Sequence, residues 1–346
     1  MTRAPEAVLL LLVGAAMGPN GMGVLSNSVL AILDPAVPVA LVALGAAVGL
    51  HASMQGRRER RLLAAAATEA AVTAAIVTTG MLIIIPGWDA GSALSSGFVA
   101  VALGVCAAPS GGGRRRTAGE GVIAERVGDL DALLPIVVGA VALASLRTSS
   151  PVEAMLLALQ ACGIALVIVA AAWLLIGRAS SETEQRVFTA ALLLLLGGAA
   201  DYLSLSALVS GLVAGLFLGR AGGPARDAIS RDILQFQRPL VALVLLVAGA
   251  RVDLPLVWAG VGLTFVLIRA AAKLVGGWTA TRVADAAALP HLGIDLLSPG
   301  VLGLAFALNA LRATGGDGAV VLAVATVGMV GSELLAALVR PVEEAA

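Results

Sequence analysis

Charged side chains stand inside long apolar stretches of this sequence, where they could do chemistry on an ion. Asp131 lies near the start of one stretch, with Asp129 two residues before it. Arg269 and Lys273 lie four residues apart inside another, so a helix would present both on one face. A charge in lipid costs about 2.5–3.5 kcal/mol on insertion scales, which makes such residues functional candidates. The alternative is a position at the membrane interface, where cations extend to the headgroups.

Two proline-containing sequences interrupt apolar stretches and could supply backbone ligands. Pro109 and Ser110 end one stretch, and Ser298 and Pro299 interrupt another nearer the C-terminus. Proline opens a helix and frees backbone groups, which lipid tolerates only where protein or a water-filled cavity covers them. Freed carbonyl oxygens are suitable ligands for a hard cation. The two breaks therefore predict a cation pathway, and Asp295, just before the second break, is a further candidate for it.

A carboxylate enclosed by protein can hold either a proton or a monovalent cation, but not both at once. We therefore expect Na⁺ or K⁺ to compete with H⁺ for Asp131. Lys273 is the only lysine in the chain, and we expect it to form an ion pair with Asp131 or Asp129 when no cation is bound. Glu69, inside a further apolar stretch, is a candidate second proton carrier, with packing against a polar neighbour as the alternative.

The composition defines the elements that must position these residues. Hydrophobic residues make up 59% of the 346 residues and charged residues 13%, and the mean hydropathy is +1.00. Apolar runs of about 20 residues, long enough to cross a bilayer, recur along the chain. We therefore predict an all-α polytopic membrane protein whose partners include the lipid bilayer.

Several classes of function are not indicated by the sequence. The formal net charge is zero, so nothing favours nucleic acid as a partner. Neither a nucleophile with a base nor a cluster of metal ligands is recognisable, so we predict that the protein is not an enzyme and holds no cofactor. Cys106 and Cys162 both lie in apolar stretches and are interpreted as packing residues.

About twelve membrane-spanning helices are expected. They lie near residues 6–18, 35–53, 62–85, 90–109, 129–146, 152–176, 186–200, 203–219, 234–250, 255–277, 290–311 and 317–339. With the N-terminus inside, the inside segments contain sixteen arginines: Arg3, Arg57, Arg58, Arg60, Arg61, Arg114, Arg115, Arg116, Arg126, Arg178, Arg186, Arg220, Arg226, Arg231, Arg282 and Arg340. The outside loops contain three, Arg147, Arg251 and Arg312. This asymmetry predicts a multi-pass protein of the cell (inner) membrane with both termini cytoplasmic.

A weak internal repeat divides the chain. Residues 40–54 are similar to residues 240–255, and residues 9–23 are similar to residues 208–222. Seven spans separate equivalent spans, and because seven is odd the two copies face opposite ways across the membrane. We predict a first inverted repeat over residues 1–146, linker helices over 147–202 and a second repeat over 203–346. Inverted repeats with breaks at matching positions are typical of secondary transporters.

The same segments resemble the monovalent cation:proton antiporter family 2, the bacterial sodium/proton and potassium/proton exchangers. The resemblance rests on GAAMGPNGMG, LVALGAAVGL, YLSLSALVSGLVAGLFLG, RPLVALVLLVAGARVDL, IRAAAKLVGGW and LLSPGVLGLAFAL. It implies two crossed, interrupted helices beside an acidic helix, and a core that moves against a domain through which a homodimer can form. It also implies that Asp131 is the ion-binding aspartate and Lys273 the buried lysine. Leu130 stands where many relatives have a polar residue before that aspartate.

We therefore expect a secondary-active Na⁺ or K⁺/proton antiporter that works by alternating access. Two alternatives remain open at this point. One is a sodium-coupled organic-anion symporter of related fold. The other is a non-transporting membrane sensor or regulatory homologue, because the first polar partner of the aspartate is missing. Ion-driven pH change in proteoliposomes separates the first function from both alternatives.

Overall fold

A computed structural model describes most of the chain as a bundle of α-helices. It describes residues 3–53, 57–88, 96–111, 120–148, 150–179, 181–221, 224–283 and 291–339. Arg114, Arg115, Arg116 and Arg340 lie outside the described residues. The helices are α1 (Arg3–Met17), α2 (Asn27–Leu33), α3 (Ala36–His51), α4 (Arg57–Trp88), α5 (Ser96–Ala107), α6 (Glu120–Leu130), α7 (Leu133–Ser145), α8 (Pro151–Ile176), α9 (Glu182–Tyr202), α10 (Ala207–Arg220), α11 (Pro224–Arg251), α12 (Leu256–Val283), α13 (Leu292–Asp295), α14 (Val301–Thr314) and α15 (Gly316–Val339).

Helix length and composition confirm a multi-pass membrane protein. Within the described residues, six helical segments are long and apolar enough to cross a bilayer, and α2 with α3, bent by 48°, would make a seventh. Four more apolar helices, α1, α5, α10 and α14, are shorter than a full crossing. Each of the twelve predicted spans overlaps at least one helix, but the number of crossings stays a prediction.

The outer surface of the bundle is apolar, as contact with lipid requires. On α8, Val152, Met155, Leu159 and Val167 are each exposed over about two thirds or more of their surface. A soluble domain rarely exposes such a continuous apolar surface. The start of this helix is set locally, because Ser150 caps it by accepting a hydrogen bond from the Val152 amide and proline occupies its first turn.

Two helix pairs form a scaffold through direct backbone contact. Between α3 and α10, a Cβ added at Gly45 would lie 2.2 Å from the Leu208 carbonyl oxygen. A Cβ at Gly211 would lie 2.1 Å from the Val42 carbonyl oxygen. Helices α1 and α11 approach each other through glycines in the same way. Small residues at such positions let helices in lipid pack without an intervening side chain.

The candidate site lies in a second group of helices. Helix α4 packs along α12, and α5 lies against α4, α14 and α15. A Cβ at Gly276 on α12 would lie 2.8 Å from the Thr73 hydroxyl and 3.2 Å from Glu69 Oε1 on α4. The absence of a side chain at Gly276 therefore lets two polar groups of α4 approach the helix that contains Lys273.

Both predicted breaks are present, and they touch. The first follows α5 at Ala108, and the second separates α13 from α14. They pair as a short antiparallel bridge in which the Gly111 amide donates to the Ser298 carbonyl at 2.9 Å and the Gly300 amide donates to the Pro109 carbonyl at 3.1 Å. Backbone groups freed by each break are thus partly satisfied by the other break, as the interior of a membrane protein requires.

Candidate ion-binding site

Asp131 lies at the connection between α6 and α7 and is completely buried. The Ser110 amide donates to its carboxylate, at 3.0 Å from Oδ2 and 3.3 Å from Oδ1. That amide belongs to the first break and has no place in a helical hydrogen-bond ladder. The structure thus brings the predicted aspartate, completely buried, to the first break.

Lys273 is also completely buried, in the middle of α12. Its ammonium group donates to the Ala108 carbonyl and, at 2.8 Å, to Ser110 Oγ. It also faces two carboxylates, Glu69 Oε1 at 3.0 Å and Asp131 Oδ2 at 3.5 Å. The three donors of the ammonium group are directed to Ala108, Ser110 and Asp131, and Glu69 adds an ion pair.

Glu69 joins this cluster from the middle of α4 and is completely buried. Thr73, one turn later on the same face, donates its hydroxyl to Glu69 Oε1 at 2.8 Å. The other oxygen, Oε2, has no hydrogen-bond partner among the described residues. Glu69 is therefore paired with Lys273, which is a closer involvement in the site than packing against a polar neighbour.

Arg269 lies one turn before Lys273 and is 2% exposed. Its guanidinium donates to the carbonyls of Ala107 at 3.0 Å and Pro109 at 3.5 Å, both at the first break. It also donates to the Leu297 carbonyl of the second break at 2.6 Å. Arg269 therefore joins both breaks to α12.

The remaining predicted residues lie at the second break or near the cluster. Ser298 is buried, and its hydroxyl donates to Glu333 Oε2 at 2.7 Å, while Pro299 forms the bridge with Ser110. Asp129, in the last turn of α6, and Asp295, at the end of α13, are both half-buried. A part for these two aspartates in binding stays a prediction.

Glu333 is a polar residue of this region that the sequence reasoning missed. It lies in α15 and holds the Ser298 hydroxyl of the second break. The signal that singles out Asp131, an acidic side chain inside an apolar stretch, also marks Glu333. It was overlooked because its position close to the C-terminal end of the stretch suggests the interface, and it is indeed half-buried.

A separate cavity of about 740 Å³ lies at the predicted outer side of the bundle. The three arginines assigned to the outside loops, Arg147, Arg251 and Arg312, all line it. Arg251 pairs with Asp34 at 2.5 Å, and Arg312 pairs with Asp201 at 2.8 Å. The second pair joins the end of α14 to the end of α9.

The site combines oxygen ligands with buried side chains of both charges. Its carboxylate, serine hydroxyl and break carbonyls are oxygen ligands of the type that hard cations prefer. Its four buried ionised groups, Glu69, Asp131, Arg269 and Lys273, carry two negative and two positive charges when all are ionised. Among the described residues, no group of three or more His, Cys, Asp or Glu side chains could hold a metal ion.

The fold is similar to that of a solved sodium/proton antiporter from Methanocaldococcus jannaschii. The TM-score is 0.66, and the match covers 96% of this chain and 92% of that chain at 16% sequence identity. No protein-family model matches the chain, and no curated protein matches its sequence. At this identity the likeness shows the fold, and the function has to be argued from the site.

Proposed function

We propose that this protein exchanges a monovalent cation, Na⁺ or K⁺, for protons across the cell (inner) membrane. The single observation that carries this proposal is the position of Asp131. A completely buried carboxylate meets a break amide and the only lysine of the chain at the point where two interrupted segments touch. The match to the sodium/proton antiporter fold supports the same function.

The geometry suggests how the exchange would proceed. In the structure, Lys273 neutralises part of the charge on Asp131, and the Ser110 backbone amide donates a hydrogen bond to the Asp131 carboxylate. A cation bound to Asp131 would take over that neutralisation, with oxygen ligands from Ser110 and nearby carbonyls. A proton on Asp131 would do so as well, and since one carboxylate cannot carry both, the two ions are exchanged. Rigid movement of the helices around the site would give each side access in turn.

The helix packing also supports the inverted repeat. The similar stretches 9–23 and 208–222 overlap α1 and α10, and the similar stretches 40–54 and 240–255 overlap α3 and α11. Helix α1 packs on α11 and α3 packs on α10, so each scaffold pair combines one helix from each proposed repeat. We propose repeats over residues 1–146 and 203–346 with linker helices over 147–202, twelve crossings and both termini cytoplasmic.

The proposal is tested by cation-driven proton movement in proteoliposomes. Adding Na⁺, K⁺ or Li⁺ in turn should dissipate an imposed pH gradient, and the Asp131→Asn variant should lose this response by about two orders of magnitude because it cannot exchange a proton. The control is Asp253→Asn, an exposed aspartate between α11 and α12. Undiminished flux in Asp131→Asn would remove Asp131 from the proposed role, and no flux from the wild type with any cation would reject the exchanger.

A further inference from the structure

Lys273 is shared unequally between two buried carboxylates. Its ammonium nitrogen is 3.0 Å from Glu69 Oε1 and 3.5 Å from Asp131 Oδ2. The nearer oxygen is also fixed by the Thr73 hydroxyl at 2.8 Å. The farther carboxylate is held by a different group, the Ser110 amide. The lysine therefore has a closer, internally braced ion-pair partner in Glu69 and a more distant partner in Asp131, to which it also donates a hydrogen bond.

The local packing explains why Glu69 is the closer partner. Glu69 and Thr73 lie four residues apart on α4, so they present their polar groups one above the other. Gly276 lies one turn after Lys273 on α12, and its missing side chain lets α4 approach, as the 3.2 Å from its ideal Cβ position to Glu69 Oε1 indicates. The Thr73 hydroxyl also lies 3.5 Å from the Ala272 carbonyl on α12. The Glu69–Lys273 pair is thus built into a helix–helix contact.

We propose that Glu69 is the permanent partner of Lys273 and that it leaves Asp131 free to bind the transported cation. Leu130 supplies no polar partner beside the aspartate, and Glu69 provides the second acidic group from a different helix. Glu69 is then a positioning residue that acts through Lys273. This inference deepens the proposed exchange function and rests on it.

The physical reason is the cost of a buried charge without a partner. If Asp131 were the only partner of Lys273, a cation that took Asp131 would leave an ammonium group unpaired in the protein interior. The cation would then have to overcome both the attraction between the pair and this cost. With Glu69 in contact, Lys273 keeps a counter-charge throughout, so the cation competes only for the longer of the two contacts.

The pairing itself can be measured on purified protein without any transport. A double-mutant cycle compares the unfolding temperatures of Glu69→Gln, Lys273→Met and the double variant in detergent. We expect the double variant to lose clearly less than the sum of the two single losses. We expect a smaller difference for the corresponding cycle of Asp131→Asn with Lys273→Met. Additive losses for Glu69 and Lys273, or a larger coupling of Lys273 to Asp131, would overturn the inference.

The functional consequence is a change in apparent cation affinity. In Glu69→Gln, the full charge of Lys273 is directed at Asp131, so we expect the half-saturating cation concentration in proteoliposomes to rise about tenfold while the maximal rate falls less than about twofold. Glu69→Asp keeps the charge and should recover part of the affinity. Thr73→Val, which removes only the bracing hydroxyl, should shift the concentration in the same direction by a smaller factor. Glu182→Gln, an exposed glutamate at the start of α9, is the matched control.

The outcomes separate this inference from the proposed function. If the wild type moves no protons with any cation, the exchanger proposal fails and the double-mutant cycle alone decides whether Glu69 is the partner of Lys273. If the wild type exchanges cations and folded Glu69→Gln has an unchanged half-saturating concentration, the inference fails while the exchanger stands. A lower maximal rate of Glu69→Gln at an unchanged half-saturating concentration would indicate that Glu69 has only a structural role, and it would also overturn the inference. Should Glu69→Gln not fold, Thr73→Val supplies the same test.

Discussion

At the scale of single residues, the site is defined by which buried polar groups have partners. Arg269 and Lys273 are neighbours on one helix face, yet they have different tasks in the structure. The guanidinium reaches carbonyls of both breaks, whereas the ammonium faces the two carboxylates. A planar guanidinium with five donors suits the first task, and a compact point charge suits the second. Arginine at position 269 and lysine at position 273 therefore each suit the groups that they contact.

Arg269 should be important for stability because it donates to the backbone carbonyls of Ala107, Leu297 and Pro109, of which the last also accepts from the Gly300 amide. A buried carbonyl left without a donor costs about 1–3 kcal/mol. We expect Arg269→Gln to lower the free energy of unfolding by about 3 kcal/mol or more, measured as thermal unfolding in detergent. The free energy of unfolding of Arg269→Lys should lie between that of this variant and that of the wild type, because a single ammonium group cannot donate to all three carbonyls as the planar guanidinium does.

Arg282 near the end of the same helix is the matched control for that measurement. It is exposed, and its guanidinium lies 3.8 Å from the ring centroid of Trp278. A cation–π contact at an exposed site contributes about 0.5–1 kcal/mol, so Arg282→Gln should have a small effect. Equal losses for the two variants would show that Arg269 does not hold the breaks.

The individual site residues could be predicted to different degrees. Asp131 and Lys273 stood out because a charge inside an apolar stretch is costly wherever that stretch lies. The Glu69–Lys273 contact could not be predicted, since it depends on the approach of α4 to α12 at Gly276 and not on any spacing along one helix. The same holds for Ser298 and Glu333, which are joined by the packing of a break against α15.

At the scale of elements, the apolar pattern located the helices but not their breaks or their polar extensions. Helix α6 was not predicted, because Glu120, Glu125, Arg126 and Asp129 make it too polar for a hydropathy pattern to recognise. Helix α2 was also not predicted, because its seven residues are too few for a membrane span and Asp34 and Pro35 separate it from the apolar run of α3. Proline at both interrupted segments was an adequate signal for the breaks, because it removes a helical donor in each.

The contact between the two interrupted segments depends on close approach at a glycine. Gly303 lies in the first turn of α14, and a Cβ there would be 2.3 Å from the Cys106 carbonyl oxygen of α5. Because that neighbour is backbone, Gly303→Ala should push the two segments apart, lower the unfolding temperature and reduce cation-driven flux at least tenfold. Gly163→Ala on α8, where a Cβ meets nothing within 4 Å, should keep its flux and stability. Normal flux in Gly303→Ala would show that the crossing tolerates separation.

At the scale of the whole molecule, the distribution of arginines and the packing of the helices indicate more membrane crossings than helix length alone indicates. Helix α10 has 14 residues, or about 21 Å at 1.5 Å per residue, against a hydrocarbon thickness of about 30 Å. Ten of its residues are buried, among them Gly211 and Gly215. A helix covered by protein on most sides does not have to match the bilayer, so α10 can cross within the bundle although an isolated helix of this length would not.

Helix α10 therefore provides the sharpest test of the proposed topology. Tyr202 precedes it and is 89% exposed, and Arg220 at its end is also exposed. The positive-inside distribution predicts Tyr202 outside and Arg220 inside. We would introduce Tyr202→Cys or Arg220→Cys into a chain in which Cys106 and Cys162 are replaced by alanine. A membrane-impermeant maleimide should label the first variant in intact cells and the second only after permeabilisation. If both are labelled from the same side, α10 does not cross, and the second repeat loses the inverted orientation on which alternating access through the two breaks depends.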